Sequence, residues 1–195
     1  MGWFSPIKGH YPSLSQIDKT LPVKTGNTGI VRGMVIEMTA GNNADGEFKI
    51  AADATNDALL YIALQDYKDA QAGMAGTTGF DGNVPPIKEG NISIPGVTAG
   101  TPAITGLSLS MEGEYETDQF DNDGLSTAVI GDGLTVVNGL FTKATGGAKV
   151  VAVLTGTPYS RWVNNASAKP AGADARSGGV VRQGANVTVI RFRTK

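Results

Sequence analysis

The sequence predicts a mainly β protein: a small β-barrel or β-sandwich with an extended N-terminal arm and a C-terminal extension. Three observations lead there. Glycine supplies 27 of the 195 residues, about twice the average usage of roughly 7%, and glycine spread at that density interrupts long helices. Hydrophobic residues make up 41% of the chain and charged residues 17%, enough apolar material to fold around a core. The apolar residues recur in short runs, many of period two, bounded by Gly, Pro, Asn and Asp.

Residues 1–24 read as the arm. Trp3, Phe4 and Tyr11 are interleaved with Pro6, Pro12 and Pro22, and proline hinders regular structure. Ser13 and Gln16 have the spacing of a capping box, which allows one helical turn over 14–19. The β-rich body spans 25–162. Its first strand is expected over 29–38, with Ile30, Arg32, Met34, Ile36 and Met38 on one face and Val31, Val35 and Glu37 on the other. A turn over 42–46 leads to a strand at 47–52. The continuous apolar run 58–65 suits a strand covered on both faces.

A short helix is expected over 66–75, followed by a loop-rich passage to residue 102 that is broken by the alternating Asn91-Ile92-Ser93-Ile94. Strands resume at 103–110 and 112–117. Over 134–143, Asn138-Gly139 divides two apolar runs; both residue types tolerate positive φ, which predicts a tight hairpin. A buried strand at 149–155 is expected to close at Gly156 and Pro158. Residues 163–195 read as a flexible linker, poor in anything to bury, followed by a basic C-terminal strand. In that strand Thr188, Ile190 and Phe192 alternate with Val187, Val189, Arg191 and Arg193.

The formal net charge of −2 conceals a segregation. Residues 161–195 sum to +6, residues 1–24 to +2, and residues 25–160 to −10. Basic ends flanking an acidic body favour one subunit's tail lying across its own or a neighbour's acidic face. Arg176, Arg182, Arg191 and Arg193 are the groups expected to meet that surface. Trp3, Phe4 and Tyr11 are the candidate anchors, since aromatics bury much area for little rotamer entropy. The sequence pI of about 5.4 and the lack of aromatics interleaved with basic residues argue against nucleic acid as the partner.

Catalytic equipment is sparse. With 0 cysteines, disulfides, Cys-ligated zinc and thiol nucleophiles are excluded. The single histidine, His10, lies in the proline-rich arm, a poor place for a preorganised base. Glu112, Glu114, Glu116, Asp118, Asp121 and Asp123 form the one dense acidic run. Asp121-Asn122-Asp123-Gly124 has the start of a calcium loop, but position 132 is Asp132 and no bidentate glutamate follows. Read as a strand, Glu112, Glu114 and Glu116 share a solvated face opposite Gly113, Tyr115 and Thr117. Phosphate-cradling glycine motifs are absent. The expectation is no enzyme, no cofactor and no metal.

No run approaches the roughly 18–20 apolar residues that cross a bilayer, and Met1-Gly2-Trp3-Phe4-Ser5-Pro6 lacks the apolar core of a secretory signal. Pro6 also spoils a myristoylation start. A soluble protein made in the cytoplasm is expected, with no membrane partner.

The order of segments is informative in its own right. Gly29-Ile30-Val31-Arg32-Gly33-Met34-Val35-Ile36, Leu60-Tyr61-Ile62-Ala63-Leu64-Gln65-Asp66, Glu114-Tyr115-Glu116-Thr117 with Phe120, Gly133-Leu134-Thr135-Val136 and Lys149-Val150-Val151-Ala152-Val153-Leu154 resemble, over residues 25–160, the small β-rich decoration or cement proteins of tailed-bacteriophage heads. That resemblance implies a structural virion protein without an active site. It would bind the outer capsid surface after synthesis in the host cytoplasm, contact the major capsid protein, and form a homo-oligomer, a trimer before other states. The aromatic arm and long basic tail depart from the smaller members of that group. The alternative is a carbohydrate-binding or receptor-binding module of a phage tail or adhesin, which would need an exposed aromatic platform. A hydrolase using the carboxylates of 112–123 is the remaining rival. Removing residues 1–22 is expected to weaken assembly while leaving the body folded.

Overall fold

The computed structural model describes residues 4–9, 18–41, 45–55, 58–67, 103–110, 112–164 and 184–194. Among these residues lie eleven strands: β1 (Phe4–Gly9), β2 (Asp18–Pro22), β3 (Val35–Thr39), β4 (Glu47–Ile50), β5 (Leu59–Ala63), β6 (Ala103–Ser108), β7 (Gly113–Thr117), β8 (Gly133–Val137), β9 (Leu140–Lys143), β10 (Ala152–Asn164) and β11 (Gly184–Thr194). They form a six-stranded sheet of order β1-β7-β11-β10-β8-β9 and a five-stranded sheet of order β2-β6-β5-β3-β4. Neighbouring strands pair antiparallel throughout. Of the two architectures expected, this is the sandwich: the sheets do not close into a barrel.

The main core lies between the sheets. Val35, Leu60 and Ile62 of the five-stranded sheet join Tyr115, Leu134, Val136, Leu154, Ile190 and Phe192 of the other in one buried cluster. The five-stranded sheet also buries its opposite face. There Leu21, Ile36, Phe48, Ala63 and Ile104 pack with Val23 and Ile30. The expectation of a doubly covered strand at 58–65 holds in β5, where Leu60 and Ile62 enter the first core while Tyr61 and Ala63 meet the second.

Residues 24–33 differ from expectation. Instead of the first half of a strand they form turns, and β3 begins only at Val35. Gly26 and Gly33 adopt φ of 90° and 89°, conformations that a β ladder does not accept. The turns bring Ile30 onto the second core. The backbone N–H of Arg32 donates to the Asp66 carboxylate at 2.7 Å, and Arg32 Nε donates to the Leu64 carbonyl at 2.8 Å.

The Asn138-Gly139 hairpin forms as expected, joining β8 and β9 with φ of 49° and 78° at its two turn residues, the sign that a type I′ turn requires. The turn also stitches the two sheets together. Val35 N–H donates to the Gly139 carbonyl at 2.8 Å, and Gly139 N–H donates to the Ala51 carbonyl at 2.7 Å. A Cβ on Gly139 would lie 2.7 Å from Met34 Cε and 2.9 Å from Ile50 Cγ2, so the position needs glycine for its backbone and for its surroundings.

β10 does not stop at Gly156 and Pro158. It runs through them with register shifts against β11 between Leu154 and Gly156 and between Gly156 and Tyr159. These are β-bulges, which absorb an unfavourable residue without ending the ladder. The C-terminal extension enters the six-stranded sheet as β11, between β7 and β10. The driving force is visible in Val189, Ile190 and Phe192, each fully buried. At the other end of the chain, β1 lies along β7 and β2 along β6. Removing residues 1–22 would therefore strip an edge strand from each sheet, which corrects the expectation of an intact body after that truncation. Of the helical turn expected over 14–19, Asp18 and Lys19 belong to β2. The rest of that turn, residues 68–75, the 91–94 segment and the linker from 165 onward lie outside the described residues.

Candidate functional site

The outer face of the six-stranded sheet, away from the main core, carries an unusual group. Alternation in β7 puts Tyr115 and Thr117 inward and Glu114 and Glu116 outward. Glu116 was expected to be solvated, yet its side chain is 0% exposed. It lies between Ser5 of β1 and Arg191 of β11 in the sheet register. One carboxylate oxygen accepts from Arg161 Nη1. The other accepts from the Tyr159 hydroxyl and from Arg191 Nη2 at 2.7 Å, with Arg191 Nε at 3.2 Å. The Arg191 guanidinium also lies 5.9 Å from the Tyr159 ring centroid, within cation–π range.

These contacts explain how a carboxylate survives on a sheet face without water. A buried charge is tolerated when an opposite charge and hydrogen bonds replace its hydration, and here two guanidinium groups and a phenol do so. The hydrogen bond to Glu116, and after it that to Tyr159, raises the Arg191 guanidinium above its ordinary range. Its lone pairs are directed at these donors, which hold the carboxylate in place. Both arginines keep 38% of their side chains exposed, so the cluster presents cationic groups outward over a hidden anion.

Beside it, Glu114 accepts from the Thr155 hydroxyl at 2.9 Å, and Arg193 stands opposite Glu114 in the register and is exposed. β10 and β11 continue beyond this face. β8 pairs with β10 only at Ala152 and Val153, and β7 pairs with β11 only from Ile190 to Arg193. From Gly156 to Asn164 and from Gly184 to Val189, among the described residues, the two strands pair with each other alone. The stretch in which both strands pair only with each other, a two-stranded ribbon of 159–164 with 184–189, is about 17 Å long at roughly 3.3 Å per residue. The segment that joins its far ends, 165–183, contains Lys169, Arg176 and Arg182 against Asp174.

The residues singled out in the sequence distribute as follows. Phe4 stacks on Tyr115 with ring centroids 5.4 Å apart and packs against the main core. Arg191 is in the Glu116 cluster, and Arg193 is on the same face. Trp3, Tyr11, Arg176, Arg182 and His10 lie outside the described residues. Sequence reasoning passed over Arg161, Tyr159 and the burial of Glu116. In the acidic run, Asp121 accepts from the backbone N–H of Asp123 at 3.1 Å and so caps its own turn. Among the described residues no three His, Cys, Asp or Glu side chains are placed to hold a metal ion, and no helix is long and apolar enough to cross a membrane.

An open groove of about 230 Å³ lies elsewhere, where the ends of β5 and β6 meet residues 149–151. Leu59 and Val150 line it and are 55% and 38% exposed. Its one aromatic, Tyr61, makes a T-shaped contact with Phe48, with ring centroids 5.1 Å apart. No family model matches this chain, and no curated protein matches it.

Proposed function

We infer that the chain is a structural virion protein that binds the outside of a phage capsid as a homo-oligomer and stabilises the shell by bridging capsid subunits. The observation that carries this reading is the β10–β11 ribbon. It is a two-stranded element running past both neighbouring strands, and the 165–183 segment that joins its ends carries Lys169, Arg176 and Arg182 against Asp174, whereas residues 25–160 sum to −10. Such an element reaches a neighbour while the sandwich stays intact, and opposite charges on the segment joining its ends and on the body favour contact between copies or with an acidic partner surface. Many weak contacts repeated by shell symmetry then add up to tight attachment. No catalytic step is assigned. The carbohydrate-binding alternative would need an exposed aromatic platform, and the groove's one aromatic, Tyr61, is engaged in a T-shaped contact with Phe48.

Charge reversal in the segment joining β10 to β11 tests the reading. The double variant Arg176→Glu, Arg182→Glu should co-sediment with purified particles at least about tenfold more weakly than the wild type, and its binding should depend less on salt. Wild-type binding by that variant would rule out the ribbon as the gripping element.

A further inference from the structure

We propose that Glu116 is the latch that sets the direction of the β10–β11 ribbon relative to the sandwich. The proposal goes beyond the assembly reading, since it holds whatever surface the ribbon meets.

The geometry behind it is a hinge with a bond across it. The ribbon leaves the sheet at the two bulges around Gly156. Bulges bend a strand and increase its twist, and Gly156 and Pro158 add nothing to fix the angle. A two-stranded ribbon beyond such a bend is marginally stable in water and free to swing unless something holds it. Glu116 lies on the sheet side of the bend, in β7. Of its partners, Tyr159 and Arg161 lie on the ribbon side, in β10, while Arg191 lies at the bend, paired with Gly156. The carboxylate therefore ties the ribbon to a strand with which β10 does not pair in the sheet.

The burial makes the tie directional. With the ribbon in place the carboxylate is fully covered and every oxygen has a donor. If the ribbon swings away, Glu116 loses Tyr159 and Arg161 together and keeps only Arg191. Breaking a buried charged pair by removing one side is among the more costly local changes. Glu116 is thus a positioning residue: it acts through the direction of the ribbon and the reach of Arg161.

Hydrogen exchange on the full-length protein reads this directly. In Glu116→Gln, amides of residues 159–164 and 186–189 should exchange about tenfold faster or more, while amides of β3, β5 and β8 keep wild-type protection. Arg161→Met provides a second variant in case the first fails to fold, because it keeps an apolar stem at a part-exposed position and leaves Glu116 paired with Arg191. It should show the same localised loss, and Arg161→Lys should restore part of the protection. Unchanged exchange in the ribbon, or a loss spread evenly over all strands, would overturn the proposal.

Discussion

The five-stranded sheet buries apolar residues on both faces, with Leu60 and Ile62 against the main core and Ile36, Phe48 and Ile104 against the second. The outer face of the six-stranded sheet instead holds Glu116, Arg161, Arg191 and Tyr159. The two surfaces do different work. Apolar packing is non-directional and proportional to area, so the doubly buried sheet supplies stability without caring about any one angle. Hydrogen-bonded charge is directional and contributes less net free energy, so the polar face is suited to fixing where one element points.

That division can be broken by mutation, and the largest effect belongs on the apolar side. Phe48 is fully buried and in T-shaped contact with Tyr61, and Phe48→Ala should lower the unfolding free energy by about 3–5 kcal/mol in urea titrations. Glu116→Ala should cost less, about 2–3 kcal/mol, since both arginines are part-exposed and regain water when the carboxylate is gone. A cost equal to that of Phe48→Ala would mean that the polar face is a second stability core and that the contrast is false.

A third substitution sharpens the account of how the sheets are joined. Gly139→Ala should cost about 2 kcal/mol, because alanine at φ of 78° is strained and its methyl group meets Met34 and Ile50. Differential scanning calorimetry gives the number. Asn138→Gly, at the other turn position, should be nearly silent, since both residues accept positive φ.

The smallest effect is electrostatic and pH-dependent. Asp132 is held below the usual carboxylate range by its hydrogen bond with Lys143, at 2.8 Å, and by the Val129 N–H. A carboxyl group lowered by folding stabilises the native state above its ordinary value, and that contribution is lost as pH falls through the lowered one. Asp132→Asn should therefore narrow the stability difference between neutral and acidic pH only slightly, because the pair is on the surface.

What could be read from the sequence follows from how far each feature depends on distant residues. The Asn138-Gly139 turn is set by the φ preferences of two adjacent residues, and the run from Leu60 to Ala63 carries its double burial in its own composition. Glu116 could not be read this way. Alternation assigns a charged residue to solvent, whereas the donors that bury it stand 43, 45 and 75 positions away. The continuation of β10 through Gly156 and Pro158 was hidden for the same reason: a bulge exists only relative to the strand opposite. Ile30 and Arg32 fitted a strand by parity, but Gly33 at positive φ turned the chain and used Ile30 as a lid on the second core.

The central claim is that this chain is a repeated component of a capsid surface, and the most direct measurement is its copy number in purified phage particles by quantitative mass spectrometry. The account predicts hundreds of copies per particle, in fixed ratio to the major capsid protein. A few copies, or none, would contradict it.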